Sequence, residues 1–200
     1  MTTSNHKPYS YPEGKIDIPS KTSREGAVKY TDYAIYDFIE KAKKKPWFSN
    51  TVFVIMSDHC ASSAGKQELD VAKYHIPAFI YNLPNTETKE INTLCSQIDL
   101  FPTLFGYLNW SYTTQFFGRD INKMNENDAR TFIGNYRKMG YLKEDKLMIL
   151  GDMKSANYYQ WDKSINLLNL LPQNEKALNE AVSYYQTQDY LYQNGLLKPQ

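Results

Sequence analysis

The stretch Thr51-Val52-Phe53-Val54-Ile55-Met56-Ser57-Asp58-His59 constrains this chain more than any other. From Thr51 to Met56 every residue is β-branched or large and apolar, with no alternation. Such a run predicts a strand covered on both faces, the pattern of a central strand in a parallel sheet. It ends abruptly in a small polar residue, a carboxylate and an imidazole. In open α/β sheets, ligands sit just beyond the carboxyl ends of the strands. Asp58 and His59 would be delivered there side by side, as oxygen and nitrogen donors suited to zinc or manganese. Capping of the following turn is the competing role for Asp58, and a solvated or structural place is the competing role for His59. Spacing alone leaves both open.

The segments on either side predict alternating layers. Residues 1–24 read as irregular, broken by Pro8, Pro12, Gly14 and Pro19. Asn5-His6 stands at the very start with no strand before it, which reads as a chain that begins in the middle of a domain. Residues 25–45 predict a helix, because Ile35, Phe38, Ile39 and Ala42 form one apolar stripe. Lys41, Lys43, Lys44 and Lys45 load its last turn, as the helix dipole favours. A solvated helix end and an anion-facing patch are the two readings of that run. Pro46 stops the helix. Residues 60–75 predict a long loop whose small residues let backbone amides approach a ligand. Ile76 to Tyr81 predicts a second strand. Asp99 to Leu108 predicts a helix, with Asp99 as its cap and Pro102 in its first turn. Helix, strand, strand and helix together argue an α/β layer.

After residue 122 the pattern changes. Segments at 131–136, 138–141, 146–150 and 158–161, parted by turn signals such as Lys143-Glu144-Asp145, predict an antiparallel meander. A closing helix fits 174–193, with Asn174 as its cap and Gly195 beyond its end. The expected organisation is an α/β part over 1–122 and an antiparallel-sheet and helix subdomain over 123–200.

Composition excludes several classes. Lys+Arg of 23 against Asp+Glu of 22 leaves a net charge of +1, so nothing points to nucleic acid as a partner. The 17 tyrosines fit either amphipathic packing or a polar-headed cleft. Two cysteines, Cys60 and Cys95, are too few for a disulfide scaffold and are expected as free thiols. No run approaches the ~20 apolar residues of a membrane span, and the start lacks the basic and apolar regions of a signal peptide.

Five segments in order carry a resemblance: Ser4-Asn5-His6-Lys7-Pro8-Tyr9, Ser57-Asp58-His59, Tyr74-His75-Ile76-Pro77, Gln97-Ile98-Asp99-Leu100-Phe101-Pro102-Thr103-Leu104 and Phe117-Gly118-Arg119-Asp120-Ile121. Together they resemble the carboxy-terminal half of the sulfatase-like branch of the alkaline phosphatase superfamily. The Asn-His-x-Pro segment resembles its lipoteichoic acid synthase-type members. The resemblance implies an α/β fold: part of an alkaline-phosphatase-like sheet with flanking helices, followed by a small antiparallel sheet and closing helix.

It also implies a function. Such enzymes act on phosphodiesters of the phosphoglycerol or phosphoethanolamine type, or on sulfate esters, through a threonine nucleophile (a formylglycine in true sulfatases) and a divalent metal. Asp58 and His59 match metal ligands, with manganese or zinc expected and magnesium or calcium as further options. His6 matches a contact to the substrate phosphate or head group. His75 has two readings, a similar anion contact or packing at the strand entry. Cys60 stands where the family usually has glycine. Nothing matches the family's upstream nucleophile or first carboxylate ligand, so the expectation is a catalytic portion inactive alone. Its parent would be membrane-anchored with the catalytic domain outside the cytoplasm. Its substrate would be small or lipid-linked, and self-association could cover an exposed sheet edge. The alternative from another class is a non-catalytic module of the same fold that binds an anion or glycan.

Overall fold

The computed structural model describes residues 3–62 and 65–198. The chain forms two compact units, Met1–Val52 and Phe53–Gln200.

The first unit is built on helix α1 (Arg24–Ala42). Ser23 caps it, accepting a hydrogen bond from the Gly26 amide at 3.1 Å. The irregular segment before it is packed rather than loose. Tyr11 is buried and stacks on Tyr30 at 5.0 Å between ring centroids. Its hydroxyl donates to the Ile18 and Pro19 carbonyls at 3.2 and 3.0 Å. Gly26 makes room for it, since a Cβ there would collide with the Tyr11 hydroxyl. The expected apolar stripe is only partly used: Ala42 is buried, whereas Phe38 is 53% exposed. Two lysines of the basic run pair on their own helix, Lys41 with Asp37 and Lys43 with Glu40, both at 2.6 Å.

The second unit holds two sheets. Strands β1 (Phe53–Met56) and β2 (Ala78–Tyr81) form an antiparallel pair in which Phe53 faces Tyr81 and Met56 faces Ala78. The sequence predicted a central parallel strand for β1. Instead its one partner among the described residues is antiparallel, and all four of its residues are half-buried. An apolar run reports that a strand can be covered, not which direction its neighbour takes.

The second sheet is a five-stranded antiparallel meander in the order β3-β4-β5-β6-β7. Its strands are β3 (Arg130–Gly134), β4 (Met139–Lys143), β5 (Lys146–Leu150), β6 (Ala156–Asp162) and β7 (Leu167–Leu171). The predicted turn at Glu144-Asp145 has positive φ at both residues, +50° and +59°, the geometry of a two-residue hairpin. Strand β7 escaped the sequence reading. Leu-Leu-Asn-Leu-Leu has neither β-branched residues nor alternation, and only its pairing with β6 makes it a strand.

Neighbouring residues of β4 and β5 are buried on opposite faces. Helix α3 (Glu175–Gln193), capped by Asn174 as predicted, covers Tyr141, Met148 and Tyr158 with Ala181. On the other face Leu142, Leu147 and Ile149 pack with Leu69 and Val71. The described part of the loop predicted after His59 therefore packs on the sheet through Leu69 and Val71. The loop's Ser63 and Ala64, part of the predicted ligand-approaching stretch, lie outside the described residues.

Helix α2 (Leu100–Tyr107) follows a 3-10 turn over Gln97–Asp99. Asp99 stands at the N-cap of α2, as expected, but its side chain makes no capping bond to that helix. Its carboxylate lies fully buried against the guanidinium of Arg130, at 2.7 and 3.1 Å. It also accepts the Ser96 and Arg119 amides, both at 2.8 Å. The pair thus ties β3 to the segments on either side of α2, across residue 122. Gly118 fits because a Cβ there would collide with the Ile98 carbonyl.

Removing one partner of a buried pair leaves the other charge uncompensated, at a cost of about 3–5 kcal/mol. Asp99→Ala should lose that amount in urea unfolding, and a change under ~1 kcal/mol would mean that the pair contributes like a surface one.

Glu68 and Glu180 contribute to the acid limb. Burial raises both carboxyls. Hydrogen bonds from Lys138 and Tyr159 to Glu68, and from Tyr141 and Lys143 to Glu180, outweigh it and hold both below their ordinary 4.5. A depressed folded pKa gives stability that is present above the unfolded value and lost as pH falls through the folded one. Stability should therefore decline as pH drops below about 4.5, and Glu68→Gln should flatten that limb in pH-dependent denaturation.

Candidate functional site

Asp58 and His59 leave the end of β1 into solvent, with side chains 69% and 67% exposed. The Asp58 Oδ1 accepts the His59 amide at 3.0 Å, which turns the chain sharply away from the strand. His59 Nδ1 lies 2.6 Å from the Cys60 carbonyl oxygen. A carbonyl can only accept, so in the neutral ring Nδ1 carries the proton and Nε2 keeps a free lone pair. That Nε2 lies 3.8 Å from Asp58 Oδ2. One nitrogen and one carboxylate oxygen thus stand close together, and the ring is oriented through its other nitrogen. Metal-ligating histidines are commonly fixed in this way by a backbone carbonyl.

The strand end is held from behind. Gln97 Nε2 donates to the Ser57 and Asp58 carbonyls at 3.0 and 2.8 Å. These are the carbonyls left over where pairing with β2 stops; the last ladder contact is the Ser57 amide to the Pro77 carbonyl at 3.3 Å. Gln97 opens the turn that Asp99 anchors to Arg130. A continuous path therefore runs from the buried ion pair to the exposed donor pair.

His75 closes the 3-10 turn Val71–Tyr74 and enters β2. Antiparallel pairing brings the start of β2 to the end of β1. The pairing ends with the Ser57 amide on the Pro77 carbonyl, and His75, two residues before Pro77, is exposed. His6 belongs to the first unit, exposed after a 3-10 turn over Thr3–Asn5, with its carbonyl accepting the Tyr9 amide at 2.6 Å. Cys60 and Cys95 are free and half-buried. Burial pushes the Cys95 thiol above its ordinary value, and the Asp99 carboxylate adds to this.

Among the described residues no group of three or more His, Cys, Asp or Glu is placed to hold a metal ion. The Asp58–His59 donors fit two positions of a divalent cation's shell by type, exposure and ring orientation, and the rest of that shell must come from elsewhere. Sequence reasoning missed Gln97 and Arg130. Gln97 stood in a quoted motif without a role, and nothing near Arg130 marks it as the partner of Asp99.

Comparison with known proteins bears on this arrangement. A family model described as Sulfatase matches residues 1–110. The chain is also similar to a solved structure, a protein in the alkaline phosphatase superfamily from Vibrio parahaemolyticus. The two share 30% identity with a TM-score of 0.89 over 99% of this chain. The match covers 49% of that protein, so the chain spans about half its length.

Each Gln97 bond contributes about 1 kcal/mol. Gln97→Ala should speed hydrogen exchange of the amides at 57–60 by about tenfold or more with little change in the global melting transition. Unchanged exchange would show that the strand end holds itself.

Proposed function

The chain belongs to the sulfatase family, and from that premise we propose that it is part of a metal-dependent hydrolase or phosphotransferase acting on phosphodiesters or sulfate esters. The observation that carries this reading is the Asp58–His59 pair at the end of β1, with Nε2 free and Nδ1 held by the Cys60 carbonyl. These two residues would hold a divalent cation, manganese or zinc by donor type, which when bound supplies Lewis-acid polarisation of the ester. Gln97 fixes the backbone from which both donors project. His75, before the neighbouring strand β2, is a candidate for contacting the anionic group. His6 is assigned the same kind of contact from the Asn-His-x-Pro resemblance alone.

The nucleophile of this reading is a threonine supplied from outside these 200 residues, and the chain is inactive by itself. Support for this is the match to about half of the solved relative and the two-donor site. The lipoteichoic acid synthase-type segment favours phosphoglycerol or phosphoethanolamine transfer over sulfate ester hydrolysis. It carries with it a membrane-anchored parent whose catalytic domain lies outside the cytoplasm. Among the described residues no helix is long and apolar enough to cross a membrane.

Manganese titration followed by electron paramagnetic resonance tests the site. The chain should bind weakly, and Asp58→Ala and His59→Ala should each abolish that binding. Bis-p-nitrophenyl phosphate and p-nitrophenyl sulfate should not turn over with manganese present. Turnover that Asp58→Ala abolishes would overturn the claim of inactivity. Anion binding that survives both variants and needs no metal would favour a non-catalytic module.

A further inference from the structure

We propose that Asn166, in the turn of the β6–β7 hairpin, is a positioning residue for His75. It rests on the reading of His75 as an anion contact given above, and it assigns a role to a part of the chain that no motif covers.

The hairpin grips the segment that leads from His59 to His75. Asn166 Oδ1 accepts the Ala72 amide at 3.3 Å and the Trp161 indole N–H at 3.0 Å. Its Nδ2 donates to Asp70 Oδ1 at 2.6 Å. Its own carbonyl accepts the Gln67 side-chain amide, whose oxygen in turn accepts the Leu168 amide at 2.7 Å. One side chain thus uses both its acceptor and its donor to join the sheet to the 3-10 turn Val71–Tyr74.

That turn is what aims His75. Asp70 precedes it and is buried; its carbonyl accepts the Lys73 amide at 3.0 Å. The Ala72 carbonyl accepts the His75 amide at 3.4 Å. Asn166 therefore holds the turn at both Asp70 and Ala72, and the turn holds the His75 backbone. Residue identity at 166 is doubly constrained. Its φ is +51°, a conformation that asparagine and glycine tolerate and most residues resist. Glycine would satisfy the backbone there and supply none of the side-chain bonds.

Asn166→Gly separates those two requirements. In NMR of the full chain, the Ala72 amide should exchange about tenfold faster or more, the effect of losing roughly 1.4 kcal/mol of local hydrogen bonding. The His75 ring resonance should move, while the Ala177 amide, held by Asn174 at 3.0 Å, serves as an unaffected reference. Inorganic phosphate should perturb the His75 ring of the unmodified chain and do so more weakly in the variant. Unchanged Ala72 exchange together with an unchanged His75 resonance in a folded variant overturns the proposal. If the His75 ring ignores phosphate yet still responds to Asn166→Gly, the positioning role stands and the anion-contact reading of His75 falls. Asn166→Asp tolerates the same backbone conformation, keeps an acceptor for the Ala72 amide and replaces the donor to Asp70 Oδ1 by a carboxylate oxygen. Should Asn166→Gly not fold, Asn166→Asp must move the His75 ring resonance, and an unmoved resonance overturns the proposal.

Discussion

The buried pair of Asp99 and Arg130 is the interaction on which the second unit depends. Taking two charges out of water is costly, and close geometry with further hydrogen bonds offsets the cost; the Arg130 Nε stays buried without a hydrogen-bond partner among the described residues, so the offset rests on the other contacts of the pair. Asp99 has the guanidinium fork on one side and the Ser96 and Arg119 amides on the other. Arg130 adds the Phe117 carbonyl at 3.0 Å and lies over the Phe132 ring. Three stretches distant in sequence are thereby fixed to one point. The Thr103 hydroxyl extends the lattice, donating to the Asp99 carbonyl and accepting the Ile121 amide.

From that point the order spreads to the exposed donors. Gln97 is two residues from Asp99, so the carbonyls of Ser57 and Asp58 are clamped by an element that cannot shift without disturbing a buried charge. On the opposite side the five-stranded sheet holds the 65–75 segment through Leu69 and Val71 in its core and through polar bonds at its rim. The antiparallel sheet, which contains none of the motifs, acts as the platform for the segment between the two histidines of the strand ends. Rigid scaffolds carrying exposed polar groups at loop junctions are the usual arrangement for binding and catalytic sites.

The motifs were legible because their chemistry is local. Asp58 and His59 follow a run that can only be a strand, so their place at a strand end could be read directly. Asn174 before a periodic helix and Glu144-Asp145 between short apolar runs were equally plain. Asp99 does stand at the N-cap of α2, but the capping pattern holds no trace of an arginine 31 residues away in sequence. The described residues of 60–75 are a loop, as expected, with one 3-10 turn at Val71–Tyr74; what the sequence did not show is that Leu69 and Val71 are buried, because a sheet lies beneath them.

The sequence by itself determined the family, the meander's first strands, the three helices and the pairing of a carboxylate with an imidazole, all of which depend on neighbours within a few residues. Tertiary structure alone decided the antiparallel partner of β1, the strand character of Leu167–Leu171, and the links Asp99–Arg130, Gln97–Asp58 and Asn166–Ala72. The physical reason is common to all of them. A hydrogen bond or ion pair between residues far apart in the chain has no periodicity to announce it, and which groups meet is settled only when burial makes an unmet partner costly.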